Sequence, residues 1–322
     1  MAGIDGSATR DLDDLFCRLA DPVAATEEVS DADIPALAKM ASSHNVSTIL
    51  YRKIGGARLA ALAPELVAEV EGLTAMTLRL ESLLPGLRAA FSSRGLDPII
   101  VKGPVFAERL YPDPADRPFT DIDIVASPED FDAIGGILTD LGLYQHVKDR
   151  FDRSEANQEQ KWISDADPNL LIELHGDLVH YPGLRRRVRL GHGELMSLGS
   201  GSATALFLTA VAHGALGHKF HTLRLVLDVL QAFRALSDDD RDALLDRAKS
   251  ARLYLETLQS LRLIATLFGD AQAAEMLRTA AGAGALSKAC MIAGRDVLSA
   301  PDAVSSRVRR HVFRLLQRYA AR

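Results

Sequence analysis

Cysteine is nearly absent from this 322-residue chain: only Cys17 and Cys290 occur, far apart and without metal-ligand neighbours. That argues against a disulfide framework or a cysteine-based zinc site, and it fits a reducing compartment. An excess of positive charge is missing too. A formal net charge of −6 argues against a non-specific electrostatic grip on nucleic acid. Long apolar runs are also lacking. The longest, ALFLTAVAHGALG, is too short to span a bilayer and contains a histidine, so no membrane association is expected. The opening stretch, MAGIDGSATRDLDDLF, has neither the basic start nor the apolar run of a secretory leader, and the expected location is the cytoplasm. No internal repeat or low-complexity segment is visible.

What is present describes an ordinary globular chain, 48% hydrophobic and 25% charged, with a length that suggests two or three domains. Three regions are expected. Residues 1–95 form an N-terminal helical region. In it DADIPALAKMASSHNVSTILYRKIGG has apolar residues at helical spacing, Ser30 or Asp31 as cap and Gly55-Gly56 as stop. A long amphipathic helix follows, with Pro85 inside it as the expected point of a kink.

Residues 96–200 read as an α/β core. LDPIIVKG is a strand, PVFAERLY a helix with Pro104 at its first position, and FTDIDIVAS a strand. SPEDFDAIGGILTDLGL is a helix capped by Ser127, and YQHVKDRF, KWISD and NLLIELHGDL are further strands. The glycine- and serine-rich LGHGELMSLGSGSA reads as a linker, and residues 201–322 as a C-terminal helical domain.

The most informative stretch is RPFTDIDIV. Asp121 and Asp123 alternate with Ile122 and Ile124, so a strand places both carboxylates on one face of an otherwise buried element. Two such charges need a partner, since an unpaired acid there is costly. A divalent cation meets that need best. Mg²⁺ takes one or two protein carboxylates and leaves places for phosphate oxygens, with Mn²⁺ as the alternative ion. Glu173, in the strand NLLIELHGDL, is the candidate third acid of a two-metal arrangement, and His175 shares its face. Solvated acids at strand ends are the competing reading.

IIVKGPVFAERLYPDPADRPFTDIDIV resembles the signature of the uncharacterised nucleotidyltransferase family within the DNA polymerase β superfamily. The likeness extends to IELHGDL, to HNVSTILYRKI and to AHGALGHKFHTLRLVLDVL, covering roughly residues 30 to 235. It implies an α+β fold: a polymerase-β-like mixed sheet flanked by N- and C-terminal helical regions. It also implies transfer of a nucleotidyl group from an NTP, with ATP as the expected donor, supported by Mg²⁺. The wider superfamily usually carries Gly-Ser on the turn after the first strand; Lys102-Gly103 stands there instead. Gly103 permits close backbone approach and Lys102 brings a positive charge to the phosphates. For the helix bearing Arg224 and Asp228, the resemblance implies a lid over the nucleotide.

On this reading Asp121, Asp123 and Glu173 are the catalytic and metal-ligating acids. Lys102, Gly103, Arg117, His175, Arg224 and Asp228 are expected to bind nucleotide or substrate. For several of these a plainer role stands beside the functional one. Arg117 either neutralises γ-phosphate charge or pairs with a surface acid. His175 is a base, a metal neighbour or a core histidine. Arg224 and Asp228 are spaced for a local helical ion pair. His213, His218 and His221 lack the acid or cysteine that would complete a zinc site. Trp162 is expected in the core, and the basic run Arg185–Arg189 on a solvated face unless it borders the site.

The acceptor is expected to present a hydroxyl on a small molecule, a peptide or a protein. Two rivals remain: a kinase transferring the γ-phosphoryl group from the same site, and a non-catalytic nucleotide- or partner-binding module on the same scaffold.

Overall fold

The computed structural model describes residues 6–146, 159–167, 169–280, 292–299 and 304–319. Cys290 and the part of the expected strand YQHVKDRF beyond His146 lie outside the described residues.

The N-terminal region is five helices: α1 (Gly6–Ala20), α2 (Ile34–His44), α3 (Ser47–Ile54), α4 (Gly56–Leu62) and α5 (Pro64–Ser93). The segment expected as one helix through ASSHNVSTIL breaks at Asn45. That residue takes the left-handed conformation, and its N–H caps the end of α2. Ser30 and Asp31 do not cap α2. They stand in the turn before it, where the Asp33 N–H donates to the Ser30 carbonyl at 3.0 Å. Pro85 lies inside α5, which continues to Ser93.

The sheet comprises β1 (Ile99–Val101), β2 (Ile122–Val125), β3 (Leu143–Gln145), β4 (Glu159–Ser164) and β5 (Leu171–His175), in the order β1-β2-β5-β4-β3. Only the β2–β5 pair is parallel; the others are antiparallel. Helix α6 (Gly103–Leu110) follows β1, and α7 (Phe131–Asp140) follows β2 after a 3₁₀ turn that Ser127 precedes.

The pleat sorts side chains into two faces. One carries Ile122, Ile124, Ile172, Leu174 and Trp162, all buried against α5 and α7 around Leu80, Leu87, Phe91, Ile134 and Leu138. The other carries Val101 and Val125, which join a larger apolar cluster. That cluster also includes Phe16 and Leu37 of the N-terminal helices and Phe207, Val226 and Phe233 of the C-terminal ones. Polar side chains on this second face are therefore trapped between the sheet and a helical wall.

Short helices α8 (Pro182–Arg185) and α9 (His192–Ser197) follow the sheet. The stretch expected as a linker thus contains a helix, flanked by glycine turns. Its His192 Nε2–H donates to the Asp97 carbonyl at 2.7 Å. Helix α10 (Ala203–Ala212) starts at Ser202, whose hydroxyl accepts from the Ala205 N–H, and runs into a π-helical turn at His213–His218. Then come α11 (Leu223–Arg234), α12 (Asp238–Ser250), α13 (Tyr254–Phe268), α14 (Ala271–Thr279), α15 (Gly294–Leu298) and α16 (Val304–Tyr319). Among the described residues no helix is long and apolar enough to cross a membrane.

Candidate active site

The turn from β1 into α6 opens the site. Lys102 has φ 53° and ψ −120°, a conformation that side chains rarely adopt, and is buried with its ammonium 2.6 Å from the Asp123 carboxylate. Gly103 is needed beside it. A Cβ there would meet the Asp121 carbonyl and the Phe119 ring at 3.2 Å, so no larger residue lets α6 approach β2 as closely. Strain at such a position is of order 1–3 kcal/mol. Lys102→Gly and Lys102→Ala both delete the ammonium, and only glycine relieves the backbone. The glycine variant is expected to be the more stable by about 1 kcal/mol in denaturant unfolding; an alanine variant of equal or greater stability would remove the strain.

Strand register explains how the polar groups meet. Val101, Asp123, Glu173 and Lys161 pair across β1, β2, β5 and β4 in one row, and Ile99, Val125, His175 and Glu159 in the next. Adjacent strands lie about 4.8 Å apart, so neighbours in a row place their side chains in contact. Lys161 Nζ lies 2.5 Å from Glu173 Oε1 and 3.2 Å from Glu159 Oε1. The fully buried His175 places Nε2 2.8 Å from Asp123 Oδ1 and 3.5 Å from Glu173 Oε2, and His180 Nδ1 lies 2.9 Å from Glu159 Oε2. Asp121 precedes β2 and is brought alongside Asp123 by the incoming loop, not by the pleat. It lines the same cleft.

The two aspartates differ electrostatically. Burial would raise Asp123, but the Lys102 ammonium and the hydrogen bond from His175 outweigh it and hold the carboxyl below its ordinary range. Asp121 is pushed up, first by burial and then by the Asp123 charge, and forms no ion pair among the described residues. Burial raises Glu173 as well, yet bonds from His175 and Lys161 bring it net downward. Glu159 is lowered to about 2, chiefly by its bond with His180.

His175 is raised: burial works against its charge, and the bonds to Asp123 and Glu173 overcome that. A raised histidine contributes stability that is full below about pH 6.5 and is lost as pH rises through the folded value. His44, His213, His218 and His221 are lowered by burial and act in the opposite sense, so the test is a difference: without added divalent ion, the melting-temperature advantage of wild type over His175→Asn is expected to shrink from pH 6 to pH 9. A difference independent of pH across the interval would remove the raised titration of His175.

These groups floor a cleft of about 580 Å³, whose far wall is the helical region: His213, Leu216 and His218 of the π-helical turn, Arg224 of α11 and Arg314 of α16. Arg117 and Asp228 form a buried two-point ion pair, Nε–Oδ1 3.1 Å and Nη2–Oδ2 2.9 Å, and the Tyr111 hydroxyl donates to the same Oδ1 at 2.9 Å. Arg117 is thus neither a surface-paired loop arginine nor an unpaired guanidinium. Arg224 does not pair with Asp228 as its spacing suggested; it donates to the Pro118 carbonyl at 3.3 Å. Asp228 prefers the bidentate fork of Arg117. That buried pair holds α11 against the loop ahead of β2, so the helix forms a wall of the cleft.

The three acids, Lys102, Gly103, Arg117 and Arg224 all line this cleft, with His175 behind the acids and Asp228 behind Arg117. The Arg185–Arg189 run lines a separate groove with Arg247 and Arg252. Glu159, Lys161, His180 and Arg314 are cleft residues that sequence reasoning missed, while His213 and His218, noted there only against a zinc site, also line the cleft. For Lys161 a partial signal existed, since it stands next to Trp162 and Ile163 in a strand-forming stretch, whereas Gln160 between Glu159 and Lys161 breaks the apolar alternation that marks the aspartate strand.

Ligand atoms of Asp123, Glu173 and His175 lie within 4.8 Å of one another, as do those of Glu159, His175 and His180. Lys102, Lys161 and His175 supply compensating hydrogen bonds to this carboxylate set, the place a divalent cation would fill, and the carboxylate oxygens of Asp121, Asp123 and Glu173 are hard donors suited to Mg²⁺. The residues fit such an ion.

Residues 30–269 match the model of a family described as "Uncharacterised nucleotidyltransferase", and the chain belongs to that family. No curated protein and no solved structure matches the chain.

Proposed function

We propose that this protein is a cytoplasmic Mg²⁺-dependent nucleotidyltransferase that moves a nucleoside monophosphate from an NTP, ATP being the expected donor, to a hydroxyl acceptor on a small molecule, peptide or protein. The observation that carries this is the gathering of Asp121, Asp123 and Glu173 in one cleft beside the start of α6, in a chain of a nucleotidyltransferase family.

Asp121, Asp123 and Glu173 would hold the divalent ion, with Mn²⁺ as an alternative. When bound, it neutralises phosphate charge and lowers the acceptor hydroxyl's pKa. Lys102 and the N-terminus of α6, with Gly103 allowing close approach, receive the triphosphate. Arg224 stands at the same end of the cleft without an acid partner among the described residues, ready for phosphate oxygens. The acceptor oxygen attacks the α-phosphorus, the bond to the β-phosphate oxygen breaks, and pyrophosphate and a proton leave. Positioning and fixed charge carry most of the rate.

Incubation with ATP and Mg²⁺ or Mn²⁺ and a set of hydroxyl acceptors, read by mass spectrometry, tests this. Pyrophosphate with a nucleotidylated acceptor is expected. A nucleoside diphosphate with a phosphorylated acceptor would establish the kinase reading instead, and tight nucleotide binding without products would favour a binding module.

A further inference from the structure

We propose that the end of the cleft beside β4 is an anion subsite built on Arg314, and that it selects an acceptor carrying a phosphate or carboxylate group. This rests on the transferase reading above and names its acceptor class.

The cleft has two ends, set by strand order. Lys102 follows β1, whereas Glu159 and Lys161 lie on β4, three strand spacings away, or about 14 Å. Arg314 belongs to the second end. Its guanidinium lies over the Tyr181 ring at 5.6 Å, and Tyr181 follows His180, which is bonded to Glu159. The nucleotide phosphates, placed at Lys102 and α6, do not need a cation there.

Arg314 is nevertheless built to meet an anion. Its Nη2 donates to the Leu216 carbonyl at 2.5 Å, while Nη1 is buried with no hydrogen-bond partner. Among the described residues no carboxylate lies within ion-pair distance of it. The side chain as a whole is part-buried and lines the cleft, so its desolvation, which depresses the pKa, would be offset in part by an anion arriving there. The helix that carries it packs into the core. Phe313 beside it is fully buried, and Gln317 one turn on donates to the Ala215 carbonyl and the Glu256 carboxylate at 3.2 and 3.1 Å. A planar fork fixed in this way matches phosphate or carboxylate oxygens. Arg314 also lies beyond residues 30–269, so the subsite comes from outside the family-matched segment.

Equilibrium dialysis tests this with full-length protein loaded with Mg²⁺ and a non-hydrolysable ATP analogue. Radiolabelled inorganic phosphate and acetate in parallel arms separate the two anion types. Wild type is expected to take up one of these anions beside the nucleotide. Arg314→Ala should weaken anion uptake by about tenfold or more, as for one lost charged partner, and leave nucleotide affinity unchanged. Arg314→Lys should keep only part of the uptake, and Arg318→Ala, whose residue touches the same ring from outside the cleft, should cause none of the loss. Loaded wild type that takes up neither anion overturns the subsite, and so does an Arg314→Ala variant that loses nucleotide affinity instead. A protein that binds phosphate through Arg314 but takes up no nucleotide overturns the transfer reading, and with it the acceptor role, so the two failures are distinguishable.

Discussion

Asp121→Asn and Asp123→Asn are expected to abolish turnover alike and to move stability in opposite directions. On the transferase reading both lose a hard oxygen donor to the metal, and a fall in kcat of at least about 10²–10³-fold is expected from losing one such electrostatic element. Like-charge repulsion alone would make either substitution stabilising. That holds for Asp121, whose carboxyl is raised by burial and by Asp123, so neutralising it should leave the melt unchanged or slightly higher. Asp123 differs because Lys102 and His175 both bond its Oδ1 in a nearly water-free place. Removing its charge leaves a buried ammonium without an anion, at a cost of about 3 kcal/mol.

Since the Asp123 carboxyl is held below its ordinary range, this contribution is present above about pH 4 and is lost as pH falls through the folded value. Denaturant unfolding and steady-state kinetics on the two variants check both halves. Adding Lys102→Met to Asp123→Asn should recover much of the lost stability, because the pair is then removed together. Wild-type turnover in either single variant would dismiss the acid site. An Asp123→Asn variant as stable as wild type would dismiss the Lys102 and His175 contacts as the reason for its burial.

How much of this was legible in the residues depends on how locally each feature is determined. The alternation of DIDIV marks a strand with one buried and one acidic face, because period two is a property of any strand. Lys102-Gly103 between an apolar run and a Pro-initiated helix likewise marks a turn with a charge on it. Glu173 follows from the same period, given the right register. Asp121 shows the limit: its spacing fits the pleat, yet the strand begins one residue later, and it reaches the cleft by the path of the loop.

Partners far apart in sequence were not legible. Arg224 and Asp228 have the spacing of a helical pair, but Asp228 takes Arg117, 111 residues away, because only that guanidinium reaches it with both nitrogens. Glu159 meets His175 through the pairing of β4 with β5, and Arg314 arrives from a helix whose position is set by Phe313 and Gln317 packing into the core. No local periodicity encodes either.

Asp228→Ala should be among the most destabilising single substitutions in the chain. The carboxylate is fully buried on α11 and satisfies three donors: Arg117 Nε, Arg117 Nη2 and the Tyr111 hydroxyl. Burial opposes charge on Arg117, and Asp228 is what overcomes it. Alanine leaves a stranded guanidinium and an unsatisfied phenol, a cost of about 3–5 kcal/mol, and loosens the wall of the cleft against the loop leading to Asp121. Replacing the whole pair by apolar residues of similar volume, as in Arg117→Met with Asp228→Leu, should recover much of that loss, since the desolvation of both charges disappears with the pair, and fall short of wild type by about 1–3 kcal/mol for the Tyr111 hydroxyl it leaves unsatisfied.

That double variant also decides what Arg117 is for. It lines the cleft, so a phosphate-neutralising role predicts a protein of largely recovered stability whose nucleotide affinity falls by about tenfold or more. A purely architectural role predicts that stability and affinity recover together. If Asp228→Ala itself unfolds at the wild-type denaturant midpoint, the buried pair does not hold α11 to the sheet, and the helical wall must be kept in place by its apolar contacts alone.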